Sequence, residues 1–221
     1  MIIAIDGYSS TGKSSISKRL AKSLGYIHID TGAMYRAVTL YGIRHCCKNG
    51  IIDMETLVNA LPQLDIYFEL DSENRNYTFL NGENIENEIR SISVSEKVSE
   101  IAKNKIIRDF LVEKQREMAK KGNIVMDGRD IGSVVFPNAD FKFFFTANAD
   151  IRALRRVNQL AKTGKIEDFE TVKQNLILRD TIDSNRETSP LLQTSDAIEV
   201  DTSHRTKEET FAFLMDIVGK K

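Results

Sequence analysis

The sequence predicts an α/β fold built on a parallel β-sheet, and three observations carry that expectation. Five short runs, at residues 2–5, 26–29, 124–126, 141–145 and 197–200, read as apolar throughout rather than alternating, as strands buried on both faces do. Helical patterns lie between them, and strands that alternate with helices build parallel sheets. A glycine-rich stretch, Gly7-Tyr8-Ser9-Ser10-Thr11-Gly12-Lys13-Ser14, joins the first run to the first helical pattern.

In chain order, Ile16, Leu20 and Leu24 recur every four residues over 12–24 while Lys18, Arg19 and Lys22 face away, and Gly25 supplies a stop. Residues 60–90 break the rhythm. Ile66, Phe68 and Leu70 alternate, a polar turn intervenes, and Tyr77 and Phe79 alternate before Asn81-Gly82, a strong hairpin signal. A small antiparallel insertion is expected there. Over 92–121 an apolar stripe of Val94, Val98 and Ile101 shifts near Asn104 to Ile107, Leu111 and Met118, which predicts a kink or two helices. Asn148 or Asp150 can cap a helix carrying Ile151, Leu154, Val157 and Leu160. Thr206 with Glu209 forms a capping box for a last helix whose apolar face is Phe211, Leu214, Met215 and Val218.

The 221 residues suit one domain with a modest insertion. Lys plus Arg number 31 and Asp plus Glu 32, a net charge of −1, which argues against a general polyanion binder but leaves room for a local basic pocket. No apolar run is long enough to span a bilayer, and the opening residues lack a basic leader and cleavage site, so a cytoplasmic location is expected. Cys46 and Cys47 are adjacent and read as free thiols in a reducing compartment.

The opening stretch fits G-x-x-x-x-G-K-S/T, in which backbone N–H groups turn inward around a phosphate, Lys13 adds a positive charge and Ser14 can hold Mg²⁺. A strand before it and an amphipathic helix after it give the helix N-terminus that favours an anion. A GTPase switch is excluded: no N-K-x-D occurs, and the D-x-x-G at 216–219 reads as a helix end. Arg152, Arg155 and Arg156 in "RALRR" fit either a solvated face or a lid over a transferring phosphoryl group, with Ile151 and Leu154 on the other face. In "RDTIDSNR", Arg179, Asp183 and Arg186 fall at i, i+4 and i+7, one helical face. The loops "DTGAMYR" (30–36) and "DGRDIGSVVFP" (127–137) follow the second and third strands, where a second anionic ligand would sit. Asp127 suits either a strand-end cap or a carboxylate near Mg²⁺.

"DGYSSTGKSS", "DTGAMYRAV", "DGRDIGSVVFPNAD" and "RDTIDSNRETSPL" resemble, in order and spacing, the motifs of bacterial cytidylate kinases, and the similarity runs over essentially the whole chain. The resemblance implies a three-layer P-loop fold with a five-stranded parallel sheet in the order 2-3-1-4-5, a monophosphate-binding segment and a helical lid. It implies a core of residues 1–59, 122–147 and 187–221, a monophosphate-binding insertion at about 60–121 and a lid at about 148–186. It places ATP on Gly7, Tyr8, Ser9, Ser10, Thr11, Gly12, Lys13, Ser14 and Ser15. The CMP phosphate falls to Thr31, Arg36 and Arg129, the ribose to Arg179 and Asp183, and the cytosine to Ser99, Arg108, Asp130 and Arg186.

The expected reaction is ATP plus CMP or dCMP giving ADP plus CDP or dCDP, with Mg²⁺ held by Ser14 and, through water, Asp127. Lys13, Arg129, Arg155, Arg156 and Arg179 are expected to neutralise the transferred phosphoryl group. The expected partners are small-molecule nucleotides, with no nucleic acid and no membrane, and the expected state is a monomer. A uridylate, thymidylate or shikimate kinase, or a module that binds ATP without transferring phosphate, remains open on the residues alone.

Overall fold

A computed structural model of the chain describes residues 1–71, 76–162 and 164–220. It divides into two compact units, Met1–His28 with Gly122–Lys221, and Ile29–Lys121. The first unit opens with β1 (Ile2–Gly7), α1 (Lys13–Leu24) and the start of β2 (Ile27–Asp30). The second holds α2 (Thr31–His45), β3 (Cys47–Lys48), β4 (Ile51–Ile52), α3 (Met54–Ala60), β5 (Ile66–Leu70), β6 (Asn76–Leu80), β7 (Glu83–Asn84), α4 (Ile92–Ile101) and α5 (Lys105–Ala119). The chain returns to the first unit with β8 (Ile124–Asp127), a π-helical turn (Ile131–Val135), β9 (Phe141–Thr146), α6 (Ala149–Ala161), α7 (Phe169–Asn185), β10 (Ile198–Asp201) and α8 (Lys207–Val218).

The parallel sheet has the order β10-β9-β1-β8-β2. Strands of the two small antiparallel sheets fall between these in the chain, so the labels differ from the expected ones; counted among its own five strands the sheet reads 2-3-1-4-5. Ile5 lies opposite both Asp127 of β8 and Phe143 of β9, which brings the end of β8 level with the start of the glycine-rich loop. The three central strands are nearly all buried. The two outer ones are only partly buried, with Ile27 and Ile198 exposed at their starts and Ile29 and Val200 buried further along. That corrects the reading of 26–29 and 197–200 as apolar throughout, because an edge strand keeps part of its surface in water.

One face of the sheet, through Ile3, Ile5, Val125, Phe143, Phe145 and Val200, packs against Ile16, Leu20 and Ala21 of α1 and Leu214 and Val218 of α8. The capping box of Thr206 and Glu209 opens α8, as its sequence predicts. In α6 the buried face is Arg152 and Ala153, with Val157 and Leu160 packed on Val172 and Leu176 of α7, while Leu154 is half exposed. The expected Ile151–Leu154 face is therefore displaced, because Arg152 goes inward to a carboxylate partner described below.

In the second unit Asn104 accepts the N–H groups of Ile106 and Ile107 and so starts α5 afresh after α4: the shift of the apolar stripe marks two helices. β5, β6 and β7 form the antiparallel insertion, and Asn81-Gly82, with φ of 50° and 85°, makes the β6–β7 turn. The polar turn expected between Leu70 and Tyr77 falls on 72–75, outside the described residues. Asn49-Gly50 closes a further small hairpin, β3–β4, that the periodicity did not suggest.

Candidate active site

The glycine-rich loop leaves β1 at Gly7. Its φ of 136° and its closeness to β9, where a Cβ would lie 2.1 Å from the Phe145 carbonyl oxygen, leave no room for a side chain. The Tyr8 N–H donates to that carbonyl at 3.2 Å, and the Tyr8 ring meets Phe144 edge-on at 5.8 Å, with the Arg152 guanidinium 5.4 Å above it. The loop ends at Gly12, and α1 begins with no side-chain cap and no acidic residue in its first turn, an N-terminus whose N–H groups and dipole favour an anion. Lys13 is buried, and its Nζ donates to the Tyr8 carbonyl at 2.5 Å and to Thr11 Oγ1 at 3.4 Å. Burial and the Arg129 guanidinium push its pKa well down, against Asp127, Asp180 and Asp6. An anion here offsets both by favouring the charged ammonium.

Ser14 Oγ donates to Asp127 Oδ2 at 2.5 Å, and His28 Nε2 lies 2.8 Å from Asp127 Oδ1. A hydroxyl and a carboxylate side by side at the loop suit a hard cation such as Mg²⁺. Among the described residues no three His, Cys, Asp or Glu side chains gather into a cage.

Arg129 is the hub of the first unit. Its Nη2 donates to Ser9 Oγ at 2.8 Å, and its Nε to Asp183 Oδ2 at 3.0 Å. Burial would raise the Asp183 carboxyl, but Arg129, then Arg179 and Arg186, outweigh it and hold the pKa below its usual range. Arg186 lies 3.8 Å from both Asp183 and Asp130. It caps α7 with an extended backbone, ψ 142°, rather than continuing its face, and its Nε donates to the Ser189 carbonyl at 2.7 Å. The i+7 reading is corrected accordingly, since the chain turns away at that residue. Arg179 is held low by burial and by repulsion from Arg129 and Arg156, and its Nε is buried without a hydrogen-bond partner. Arg179, subject to the like charges of Arg129 and Arg156, is suited to take a multiply charged anion.

Arg155 stands apart from that cluster, donating to Thr202 Oγ1 at 3.1 Å and to the Thr202 carbonyl at 2.6 Å. Thr202 Oγ1 in turn donates to the Thr11 carbonyl at 2.9 Å, so Arg155 reaches the glycine-rich loop only through Thr202.

In the second unit Asp30 caps α2 by accepting the Ala33 N–H at 3.1 Å, which makes "DTGAMYR" the opening turns of a helix instead of a loop. Thr31 is buried at the first position, and the Arg36 guanidinium folds back over Gly32. Arg90 Nη2 donates to Asp30 Oδ2 at 3.0 Å and to Glu86 Oε1 at 2.8 Å, bracing that cap. Arg108 is fully buried; it donates to the Ala102 carbonyl at 3.1 Å and stands 5.2 Å over the Tyr35 ring. Ser99 lies on α4, half-buried.

The family model for cytidylate kinase matches residues 3–220 of the chain. The chain belongs to the cytidylate kinase family. Cytidylate kinases of Parabacteroides distasonis, Porphyromonas gingivalis and Flavobacterium johnsoniae are 51%, 50% and 48% identical to it, each over 98% of this chain and 95% of the relative. A solved structure of a protein from Eubacterium ventriosum, described as uncharacterized, is 13% identical with a TM-score of 0.52, covering 100% of this chain and 99% of that one, a likeness of fold alone.

Beside the cytidylate kinase motifs stand residues that the sequence reading missed. Asp180 accepts the Ser9 N–H at 3.1 Å through Oδ1 and the Arg152 guanidinium through Oδ2. Arg152 also donates to the Ser9 carbonyl at 3.2 Å. This buried pair on α6 and α7 grips the glycine-rich loop at one residue. Arg152 was visible as one of a basic run, but Asp180 carried no separate signal. His28 reaches Asp127 only because the sheet order sets β2 beside β8.

Proposed function

We propose that the chain is an ATP-dependent nucleoside monophosphate kinase that phosphorylates CMP and dCMP, and that the residues above carry the reaction. The observation that carries the reading is Arg129: one guanidinium bonds Ser9 of the phosphate loop and Asp183 of the acceptor set, so it ties the donor half of the site to its acceptor half. Phosphoryl transfer asks little covalent chemistry of a protein; alignment and charge neutralisation are its main contributions.

The loop amides of residues 7–15 and Lys13 hold the ATP phosphates. Exchanging the Tyr8 carbonyl for a phosphate oxygen gives the Lys13 ammonium a stronger partner. Arg129, Arg156 and Arg179 neutralise the transferred group, while Arg155 braces the loop through Thr202. Ser14 and, through water, Asp127 hold Mg²⁺, which when bound neutralises charge on the phosphates. Thr31 and Arg36 take the phosphate of the monophosphate, whose own oxygen is the nucleophile, so no general base is needed. Asp183 accepts a sugar hydroxyl beside Arg179.

For the base, Asp130 accepts from the N4 amine of cytosine, and Arg108, Ser99 and Arg186 serve the ring acceptors. Uracil presents an oxygen at that position and sets it against a buried carboxylate, at a cost of about 1–3 kcal/mol or more. No helix among the described residues is long and apolar enough to cross a membrane. We place the enzyme in the cytoplasm as a monomer.

A coupled assay of ADP release with CMP, dCMP, UMP, dTMP and shikimate tests the reading. CMP and dCMP are expected to turn over best; equal turnover of UMP or dTMP would overturn the specificity, and ATP binding without CMP-dependent ADP release would overturn the activity.

A further inference from the structure

Asp6 is the next-to-last residue of β1; its carboxyl is buried and lies outside the set assigned to nucleotide. Oδ1 accepts the Ile131 N–H at 2.8 Å and Oδ2 the Gly132 N–H at 2.7 Å. These are the first two amides of the π-helical turn, groups that a helical segment cannot satisfy from within. At its other end the turn closes on the residue just before it. Val134 and Val135 donate to the Asp130 carbonyl at 2.9 and 3.1 Å, and Phe136 donates to the Ile131 carbonyl at 2.7 Å.

The peptide link between Asp130 and Ile131 is therefore held from both sides, its carbonyl by the turn and its amide by Asp6. The Asp130 side chain leaves the backbone at that link. Close packing leaves the turn little freedom: a Cβ on Gly132 would lie 3.1 Å from Lys142 Cδ and 3.4 Å from Asp6 Oδ2. Single π-turns inside helices and loops often mark functional positions, and this one starts at the proposed base-reading carboxylate.

We propose that Asp6 is a positioning residue: by holding the Ile131 and Gly132 amides it aims Asp130, and it thereby contributes to the preference for cytosine over uracil without touching the nucleotide. This inference rests on the base-reading role proposed for Asp130. Burial makes an ionised carboxyl costly here and raises its pKa to about 7 although both amides oppose the rise, so an aspartate is an expensive residue at this site unless the turn needs it.

Steady-state kinetics with CMP, UMP and ATP on the wild-type chain and on Asp6→Asn, Gly132→Ala and Asp130→Asn test it. Asn at 6 keeps one acceptor but turns an NH₂ donor toward an amide N–H, and Ala at 132 sets a Cβ against Lys142 and the Asp6 carboxylate itself. Each is expected to lower the CMP-to-UMP ratio of kcat/KM about tenfold, roughly the effect of one misplaced polar contact. KM for ATP is expected to stay within about twofold, which a general loosening of the phosphate loop next to Asp6 would not spare. Should Asp6→Asn fold poorly, Gly132→Ala keeps the question open to measurement.

Unchanged selectivity in both variants, beside a loss in Asp130→Asn, overturns the positioning role alone. Equal rises in KM for ATP and CMP overturn it as well. A wild-type chain without CMP preference, or an Asp130→Asn variant that retains it, overturns the base-reading role together with the inference built on it.

Discussion

Single buried side chains give this chain a pH dependence that can be read from their surroundings. Burial lifts the Asp6 carboxyl from 3.8 to about 7; the Gly132 and Ile131 amides and Lys13 pull it down, and Asp130 adds to the rise. Lys142, whose stem packs over Gly132, is a further charge close by. Folded Asp6 keeps its proton at a pH where the unfolded chain has already lost it. By linkage, its contribution to stability is fully present below 3.8 and is lost as pH climbs to about 7, beyond which it is flat. Asp6→Asn cannot ionise, so urea unfolding between about pH 5 and pH 8 is expected to show a shallower fall in stability for the variant than for the wild type. Parallel curves would contradict the assignment.

Elements in this fold begin and end where short polar side chains can take over from backbone partners. Asn104 is the clearest example, accepting two amides at 3.0 and 3.2 Å where α4 stops and α5 starts. Asn104→Ala is expected to cost about 1 kcal/mol in a denaturant titration, and Asn104→Asp to retain most of that. A variant as stable as the wild type would mean that packing of Ile107 and Leu111, and not the cap, starts the helix. Much at this scale was legible because its causes are local: the Asn104 break, the Thr206–Glu209 capping box and the Asn81-Gly82 turn all act within four residues. Residues 30–36 were misread as a loop because Asp30 and Thr31 also suit a turn, and only the Ala33 amide bond distinguishes the two. The π-turn at 131–135 carried no local signal, since its first two amides are held by Asp6, 125 residues from Ile131.

Across the molecule, contacts between distant residues assemble the candidate site. Arg129 meets Ser9 across 120 residues, His28 meets Asp127 across 99, and Asp180 meets Ser9 across 171. The glycine-rich loop could be read outright because all its parts are contiguous, and the family could be read once four motifs were taken together. Asp6, Asp180 and His28 could not, because their roles exist only after β1, β2 and β8 lie side by side and α7 packs on α6. Asp180 is also half of a buried ion pair with Arg152. Removing one partner of a buried ion pair leaves an uncompensated charge, so Asp180→Ala is expected to destabilise the chain by about 3–5 kcal/mol and to raise KM for ATP. The double change Arg152→Met with Asp180→Leu is expected to recover most of the stability but not the KM; recovery of both would reduce the pair to a packing role.

The surroundings of Tyr8 also bear on how the site can be watched. The chain has six tyrosines and no tryptophan, so its ultraviolet emission comes from phenol rings alone, with no indole to drain their excitation. Tyr8 lies within the phosphate loop, between the edge of Phe144 and a guanidinium. A single indole placed there by Tyr8→Trp would be the only one in the molecule, and its colour and brightness would report directly on a charge arriving in the loop.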